Sequence, residues 1–476
     1  MDHFPGRNLT RPRPVVDCGA GNPMHKSLLT IAVLVGMAGL TVVPSAQDGS
    51  TRNSDAETIR RMLTRLHDNG EFTGTVLVAR AGVPVYRDTI ARTTDEARVL
   101  AAPFNIGSLA KAFTAMAVMM LAEQGKVKYD DPIDKHLPEL AGAAPGITIR
   151  HLLTHTSGIP DVGDLAIDRP NLLERDVVQA IRANHTRFAR AGLRYRYSNA
   201  GYVLLAMVVE RVSGQAFDDF LRAKVFDPLA MNQTRPVALR SKGATKGDGG
   251  IASTVDDLLK WDQALTAGIL VGAKTLAEGF VRARVEQGTS TYAFGWNVAP
   301  RDGDTLVWHT GNFGGQRAFL GRRIGDRITV IILTQGDSRR LEIADAIVDI
   351  LHHRSFTPPR LSVARKMLAI VDSKGVGGAI ALYHQLKTAE PNAYDFSEGE
   401  LNGVGYALLA RRDTAGAIRV FELNAQQFPS SSNVFDSLGE ALAAARRHDE
   451  AVKAYSRAVE LDPSNINAQT MLKKLK

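Results

Sequence analysis

In Gly107-Ser-Leu-Ala-Lys-Ala-Phe-Thr-Ala-Met-Ala-Val-Met-Met-Leu-Ala-Glu-Gln124, a Gly-marked loop runs into a segment that is apolar on nearly every side. A helix of that composition is buried, and its start carries unpaired backbone N–H groups that favour negative charge on a nearby oxygen. Ser108 and Lys111 stand three apart at that start, so their side chains share one face. A Lys inside so apolar a helix carries a desolvation cost of several kcal/mol, roughly, unless it is partnered. Held there it is suited to proton transfer with the Ser108 hydroxyl. The competing reading is a plain N-cap serine with a lysine reaching out to water.

The flanks of this helix set the fold class. Upstream, Thr75-Val-Leu-Val-Ala79 and Val83-Pro-Val-Tyr86 are β-branched stretches joined by Ala81-Gly82, a hairpin pattern that opens the domain. Between Ser108 and about Gly288 the periodicity is helical, with segments at Ala110–Gln124, Tyr202–Ser213 and Val255–Ala267. Strand patterns return at Phe294–Val298, Thr305–His309, Arg317–Gly321 and Ile328–Thr334, and a helix near Leu341–His353 closes the unit. Strands at both ends with helices between them predict an α+β domain over 55–353. Its antiparallel sheet is flanked by helices and takes a helical insertion.

Pro358-Pro359 then marks a linker at 354–360, and 361–476 is helical. There Gly405 recurs as Gly439, Ala417 as Ala451, Phe421 as Tyr455 and Pro429 as Pro463, each after 34 residues. That period is the signature of tetratricopeptide helix pairs. Leu361–Lys387 is expected to supply a degenerate preceding pair and Ile466–Leu475 a cap. Two roles are open to such an array, a surface for a protein partner or a brace for the domain before it.

Two further short stretches carry chemistry. Tyr197-Ser-Asn199 stands in a loop before a helix. A phenol beside an ammonium can act as base towards a serine, and Asn199 can hold Lys111 or a substrate carbonyl. His309-Thr-Gly311 ends a strand before Gly314-Gly315, where a glycine lets substrate approach the backbone. The backbone N–H of Asn312 is the expected second oxyanion donor beside that of Ser108. Ser-x-x-Lys, then Tyr-x-Asn about 90 residues on, then His-Thr-Gly about 110 further, resembles class C β-lactamases and their penicillin-binding relatives. His151-Leu-Leu-Thr-His-Thr-Ser-Gly158 and Gly249-Gly-Ile-Ala-Ser-Thr-Val-Asp-Asp257 are similar to the same family, and the likeness covers about residues 55–353.

The resemblance implies a β-lactamase/transpeptidase-like fold and a serine hydrolase acylated on Ser108. In that scheme Lys111 and Tyr197 share the proton transfers, and which is the base stays open. Asn199, His309, Thr310, Gly311 and Asn312 bind and orient substrate. The third box begins with His309 where many β-lactamases have Lys, and a neutral imidazole is a weak counter-charge for a carboxylate. The expected substrate is therefore an ester or a peptide-like amide, as for esterases and D-amino-acid peptidases of this group. A true β-lactamase, or a weakly catalytic sensor working through its repeats, are the alternatives. Loops Asp161–Arg175 and Ser241–Gly250 would shape the pocket.

Composition closes off other classes. Lys and Arg number 58 against 50 Asp and Glu, a net +8 without any basic stripe, so no nucleic-acid partner is expected. His151 and His155 lie four apart without a recognisable third ligand, so neither a metal nor another cofactor is expected. Met24-His-Lys26, the apolar run Leu28–Val43 and Pro44-Ser-Ala46 read as a signal peptide within 1–46, with Met24 an alternative start. The protein is then exported to the periplasm or beyond. A membrane enters only if this segment stays uncleaved as an anchor. The single cysteine, Cys18, precedes that run, leaving no disulfide or thiolate chemistry for the mature chain.

Overall fold

The computed structural model describes residues 49–162, 172–237, 246–336, 339–463 and 465–475. The expected export segment 1–46 lies outside them, as do parts of both pocket loops. Among the described residues no helix is long and apolar enough to cross a membrane.

The chain enters through a helix that the strand-first reading missed, α1 (Gly49–Asp68). The expected hairpin follows as β1 (Gly74–Arg80) and β2 (Val83–Ile90), with Ala81 and Gly82 both at positive φ as a tight two-residue turn needs. The three long helices of the insertion form where the periodicity placed them: α2 (Ala110–Glu123), α3 (Asn199–Ser213) and α4 (Val255–Ala267). Helix α3 starts three residues earlier than expected because Ser198 caps it, its hydroxyl accepting from Gly201 N at 3.3 Å. A three-stranded sheet of short segments, Phe104–Asn105, Arg235–Pro236 and Ile251–Ser253, interrupts the helical stretch.

The main sheet resumes with β3 (Asn297–Arg301), β4 (Asp304–Phe313), β5 (Gln316–Arg323) and β6 (Ile328–Gln335), and helix α5 (Arg340–Leu351) follows. The first of these was expected at Phe294–Val298. Ala293 N instead donates to Trp296 O at 2.7 Å, a turn that delays pairing to Asn297. His309 does not end its strand either, since β4 runs on to Phe313. Six strands pair in the order β2-β1-β6-β5-β4-β3, every pair antiparallel.

Alternation along these strands splits the apolar side chains between two cores. Leu77, Ala318, Leu320, Ile331 and Leu333 join the helical insertion on one face. Val76, Val78, Phe319, Val330 and Ile332 face α1 and α5 on the other. Burial on both faces explains why β6 reads as one continuous apolar run.

The C-terminal helices are α6 (Val363–Ala389), α7 (Glu398–Ala410), α8 (Thr414–Gln427), α9 (Ser432–Ala444), α10 (His448–Leu461) and α11 (Ile466–Leu475). The run α6 is broken at Gly375 (φ 65°, ψ 175°), which gives the two helices expected of a degenerate pair. The 34-residue marks have a packing cause. A Cβ on Gly405 would lie 2.4 Å from the Phe421 ring, and one on Gly439 2.9 Å from Tyr455. Each glycine admits the aromatic ring of its own helix pair.

These helices share the outer core: Met367, Ala379 and Tyr383 belong to the same cluster as Ile59, Leu63 and Ile347. A polar junction supports the contact. Arg339 pairs with Asp395 at 2.6 Å and Glu400 at 2.9 Å, and Ser362 N donates to Glu71 at 3.0 Å.

Candidate active site

Ser108 sits in a single 3-10 turn, Gly107–Leu109, that leads into α2. From Phe104 to Met119 every residue except Ser108 is buried. The apolar helix thus anchors the turn in the core and leaves one hydroxyl accessible.

Lys111, one helical turn on, is fully buried. Its Nζ meets three acceptors: Ser108 Oγ at 3.1 Å, Asn199 Oδ1 at 2.7 Å and the Asp248 carbonyl at 2.7 Å. These three acceptors match the three donors of a lysine side chain. The Ser-x-x-Lys and Tyr-x-Asn stretches are therefore in direct contact. The Tyr197 ring centroid lies 4.9 Å from Lys111 Nζ.

Asn199 is itself fixed. Asp161 accepts from Asn199 N at 2.8 Å through Oδ1 and from Asn199 Nδ2 at 3.1 Å through Oδ2. This carboxylate orients the amide so that its oxygen, not its nitrogen, faces Lys111. Sequence reasoning missed Asp161 and Asp248. Asp161 stands three residues past Gly158, at the end of a stretch valued only for its likeness to the family, and its role depends on a contact 38 positions away.

The third stretch approaches from β4. A Cβ on Gly311 would fall 1.7 Å from the Ile106 carbonyl oxygen, and one on Gly107 2.5 Å from Asn312 N. Gly311 thus lets the strand backbone press against the turn that carries Ser108, a closer approach than the one to substrate that its position suggested. The Gly314-Gly315 turn makes Phe313 and Gln316 partners, and Asn312 pairs with Arg317. Alternation in a ladder closed by a two-residue turn puts Asn312 at a non-hydrogen-bonded site, its N–H pointing away from β5. Strand β3 stops pairing at Trp308, so this edge of β4 is open beside Ser108. The Asn312 side chain turns to Arg340, accepting from Nη2 at 3.0 Å.

His309 is buried with both nitrogens occupied. Nδ1 meets the Thr310 carbonyl at 2.6 Å and Nε2 meets Tyr292 Oη at 2.8 Å. Burial, reinforced by the Lys111 charge, pushes its pKa from 6.5 down to about 3. Burial pushes the Tyr292 phenol well up, so it remains a donor to Nε2. Beneath Tyr197 lies His155, ring centroids 4.2 Å apart, at positive φ (56°) and with Nδ1 accepting from Ser198 N at 3.2 Å. Burial first, then Lys111 and His309, hold it well below its ordinary pKa. Lys111 therefore faces two neutral imidazoles. His151, four residues before His155, caps its own helix through Thr148. Nothing in the local pattern marked Tyr292, since a lone Tyr before Ala-Phe-Gly reads as core.

A family model described as Beta-lactamase matches residues 59–353, and one described as Tetratricopeptide repeat matches 433–465. Penicillin-binding protein 4* of Bacillus subtilis is 29% identical over 347 residues, covering 63% of this chain and 76% of that one. Among solved structures, the octameric penicillin-binding protein homologue from Pyrococcus abyssi superposes with a TM-score of 0.56 at 22% identity, over 67% of this chain and 81% of that chain. The D-amino acid amidase from Ochrobactrum anthropi SV3 gives 0.52 at 20% identity, over 63% and 99%. Both structural likenesses bear on the fold.

Proposed function

This chain belongs to the β-lactamase family of serine hydrolases, and on that premise we propose that it turns over an ester or a peptide-like amide through an acyl-enzyme on Ser108. The observation that carries this reading is Lys111, buried, held by Asn199 and Asp248 with its Nζ 3.1 Å from the one accessible hydroxyl of the turn.

In the proposed cycle Ser108 Oγ attacks the substrate carbonyl while its proton passes to the Lys111–Tyr197 pair. The tetrahedral oxyanion lies between the N–H groups of Ser108 and Asn312. The C–O or C–N bond breaks, and the proton goes to the leaving alcohol or amine. Water then attacks the ester carbonyl, gives a proton to the same pair, and releases the acid with Ser108 restored. Asn199 positions Lys111, and Thr310 and Gly311 form the strand edge along which substrate lies.

His309 favours this substrate class over β-lactams. An uncharged imidazole with both nitrogens engaged offers no counter-charge to the carboxylate that β-lactams carry. The apolar segment near the N-terminus supports an exported, periplasmic or extracellular enzyme.

Intact-mass measurement after exposure to an activated ester and to a penicillin tests the proposal. An adduct or turnover with the ester that vanishes in Ser108→Ala, in a protein of unchanged melting temperature, is the expected result. Faster turnover of the penicillin than of any ester would replace it with the β-lactamase reading. Silence towards a broad panel of both would remove the enzyme reading.

A further inference from the structure

A cavity of about 680 Å³ lies away from Ser108. It lies at the opposite end of the main sheet, between the β1–β2 and β5–β6 turns on one side and α4 with the helix Ala273–Gly279 on the other. The two turns are held together by Ala81 N donating to Arg327 O at 2.7 Å. Its volume is that of a small-ligand site, which commonly spans about 300–1,000 Å³.

Leu265, Leu276 and Phe280 form an apolar part of the wall, beside Gln263, Thr266 and Thr329. The rim carries exposed apolar side chains as well. Val83 and Ile324 line the mouth and are 62% and 42% exposed. Ile269 and Val281, 62% and 60% exposed, stand on the segments that continue from lining residues Ala267 and Phe280. Two exposed aliphatic side chains from two separate turns, Val83 and Ile324, thus meet at one opening, with Ile269 and Val281 close along the chain to its lining. Scattered single apolar residues need no explanation, but a converging set around a cavity does.

The charge is equally specific. Three arginines line the cavity. Arg322 is buried against Asp262, whose other oxygen accepts from Thr329 at 2.7 Å. Arg323 pairs with Asp302 at 2.8 Å and Asp345 at 3.5 Å. Arg327 is exposed and, among the described residues, has no acidic partner. One uncompensated cation beside apolar walls selects one anionic group attached to an aliphatic body.

We propose that this cavity binds an anionic amphiphile, its acidic head on Arg327 and one acyl chain along Leu265, Leu276 and Phe280. The site is separate from the serine chemistry and does not depend on it. Either a free fatty acid or the acyl chain of an anionic lipid supplies this chemistry.

Titration calorimetry of the full chain with dodecanoate, below its micelle concentration, tests the inference. Saturable one-to-one binding is expected, weakened at least tenfold by Arg327→Gln and restored by Arg327→Lys. Dodecanol should bind with an affinity that Arg327→Gln leaves within twofold. Ala267→Trp, at an exposed position on the wall, should block both ligands while melting like the parent protein. Co-sedimentation with phosphatidylglycerol vesicles separates the sources: capture lost in Arg327→Gln points to a membrane lipid, and dodecanoate binding without capture to a free fatty acid. Absence of saturable binding overturns the proposal. So does binding that ignores both substitutions, or an oligomer that dissociates on Ile324→Glu with no ligand bound.

Discussion

Acidification from pH 7 to pH 5 should remove more stability from this protein than from its His309→Gln variant, and the size of the difference follows from burial. His309 lies in the core with a pKa depressed to about 3 by burial and by Lys111, whereas the unfolded chain offers it the ordinary value near 6.5. Between those two values the unfolded state holds a proton that the folded state refuses. Stability is therefore fully present above about pH 6.5 and falls as the pH drops towards 3. At pH 5 the penalty is about 2 kcal/mol for this one side chain, from about 1.4 kcal/mol per pH unit below 6.5. At pH 7 it is close to zero.

Gln reaches about as far as imidazole Nε2 but does not titrate. At pH 7 the variant should be the less stable protein by about 1–2 kcal/mol, the worth of the bonds to Tyr292 and Thr310. By pH 5 the two should be nearly equal, because only the parent has lost the protonation term. Urea melts at half-unit pH intervals measure this directly, and titrating groups away from His309 cancel in the comparison. His155, shifted in the same direction mainly by burial, steepens both curves, slightly less in the variant, which lacks the His309 part of that shift. Parallel stability curves for parent and variant from pH 7 to pH 5 would show that His309 titrates freely. That result would refute the claim that the third box carries no charge.

Asp161→Asn should slow acylation about 10–150-fold, the value of one charge-assisted hydrogen bond of about 1.5–3 kcal/mol, with KM nearly unchanged. In a cycle with Asn199→Ala the double variant should be no slower than Asn199→Ala alone; additive losses would mean that Asp161 does not act through Asn199. Gly311→Ala places a carbon 1.7 Å from the Ile106 oxygen and should cost more than about 3 kcal/mol or prevent folding, so a melt like the parent's would disprove the register of β4 against the Ser108 turn. Truncation after residue 360 should yield aggregated protein, because it uncovers Ile59, Leu63 and Ile347; soluble truncated enzyme with parental kinetics would contradict the shared core.

The legible part of this protein was local. The α2 helix announced itself because burial on all sides leaves no polar stripe, and the central strands β1 and β6 because they bury both faces. Ser108, Lys111 and Asn199 were readable from spacing because a helix face and a loop before a helix confine where such side chains can go. Asp161, Asp248 and Tyr292 were not, since each acts through a partner brought near only by the tertiary fold. The Asp248 contribution is a backbone carbonyl, to which the residue's identity is irrelevant. His309 was expected at a strand end and lies inside β4, and its state depends on burial, of which a histidine in a short polar triplet gives no sign.

The repeats illustrate the same limit on a larger scale. A 34-residue period fixes how one helix pair packs on the next, as Gly405 with Phe421 and Gly439 with Tyr455 show. It says nothing of what covers the first pair. Two tetratricopeptide units are too short to close a core alone. The broken helix α6 supplies the missing surface by packing into the outer core of the sheet, where α5 already lies. The start of α5 then connects the two halves through neighbouring side chains. Arg339 reaches Asp395 and Glu400 below the repeats, while Arg340 holds the Gly311 and Ala318 carbonyls at 2.9 and 3.0 Å. A chain of contacts that ends on the strand carrying Asn312 thus joins the repeats to the strand edge beside Ser108.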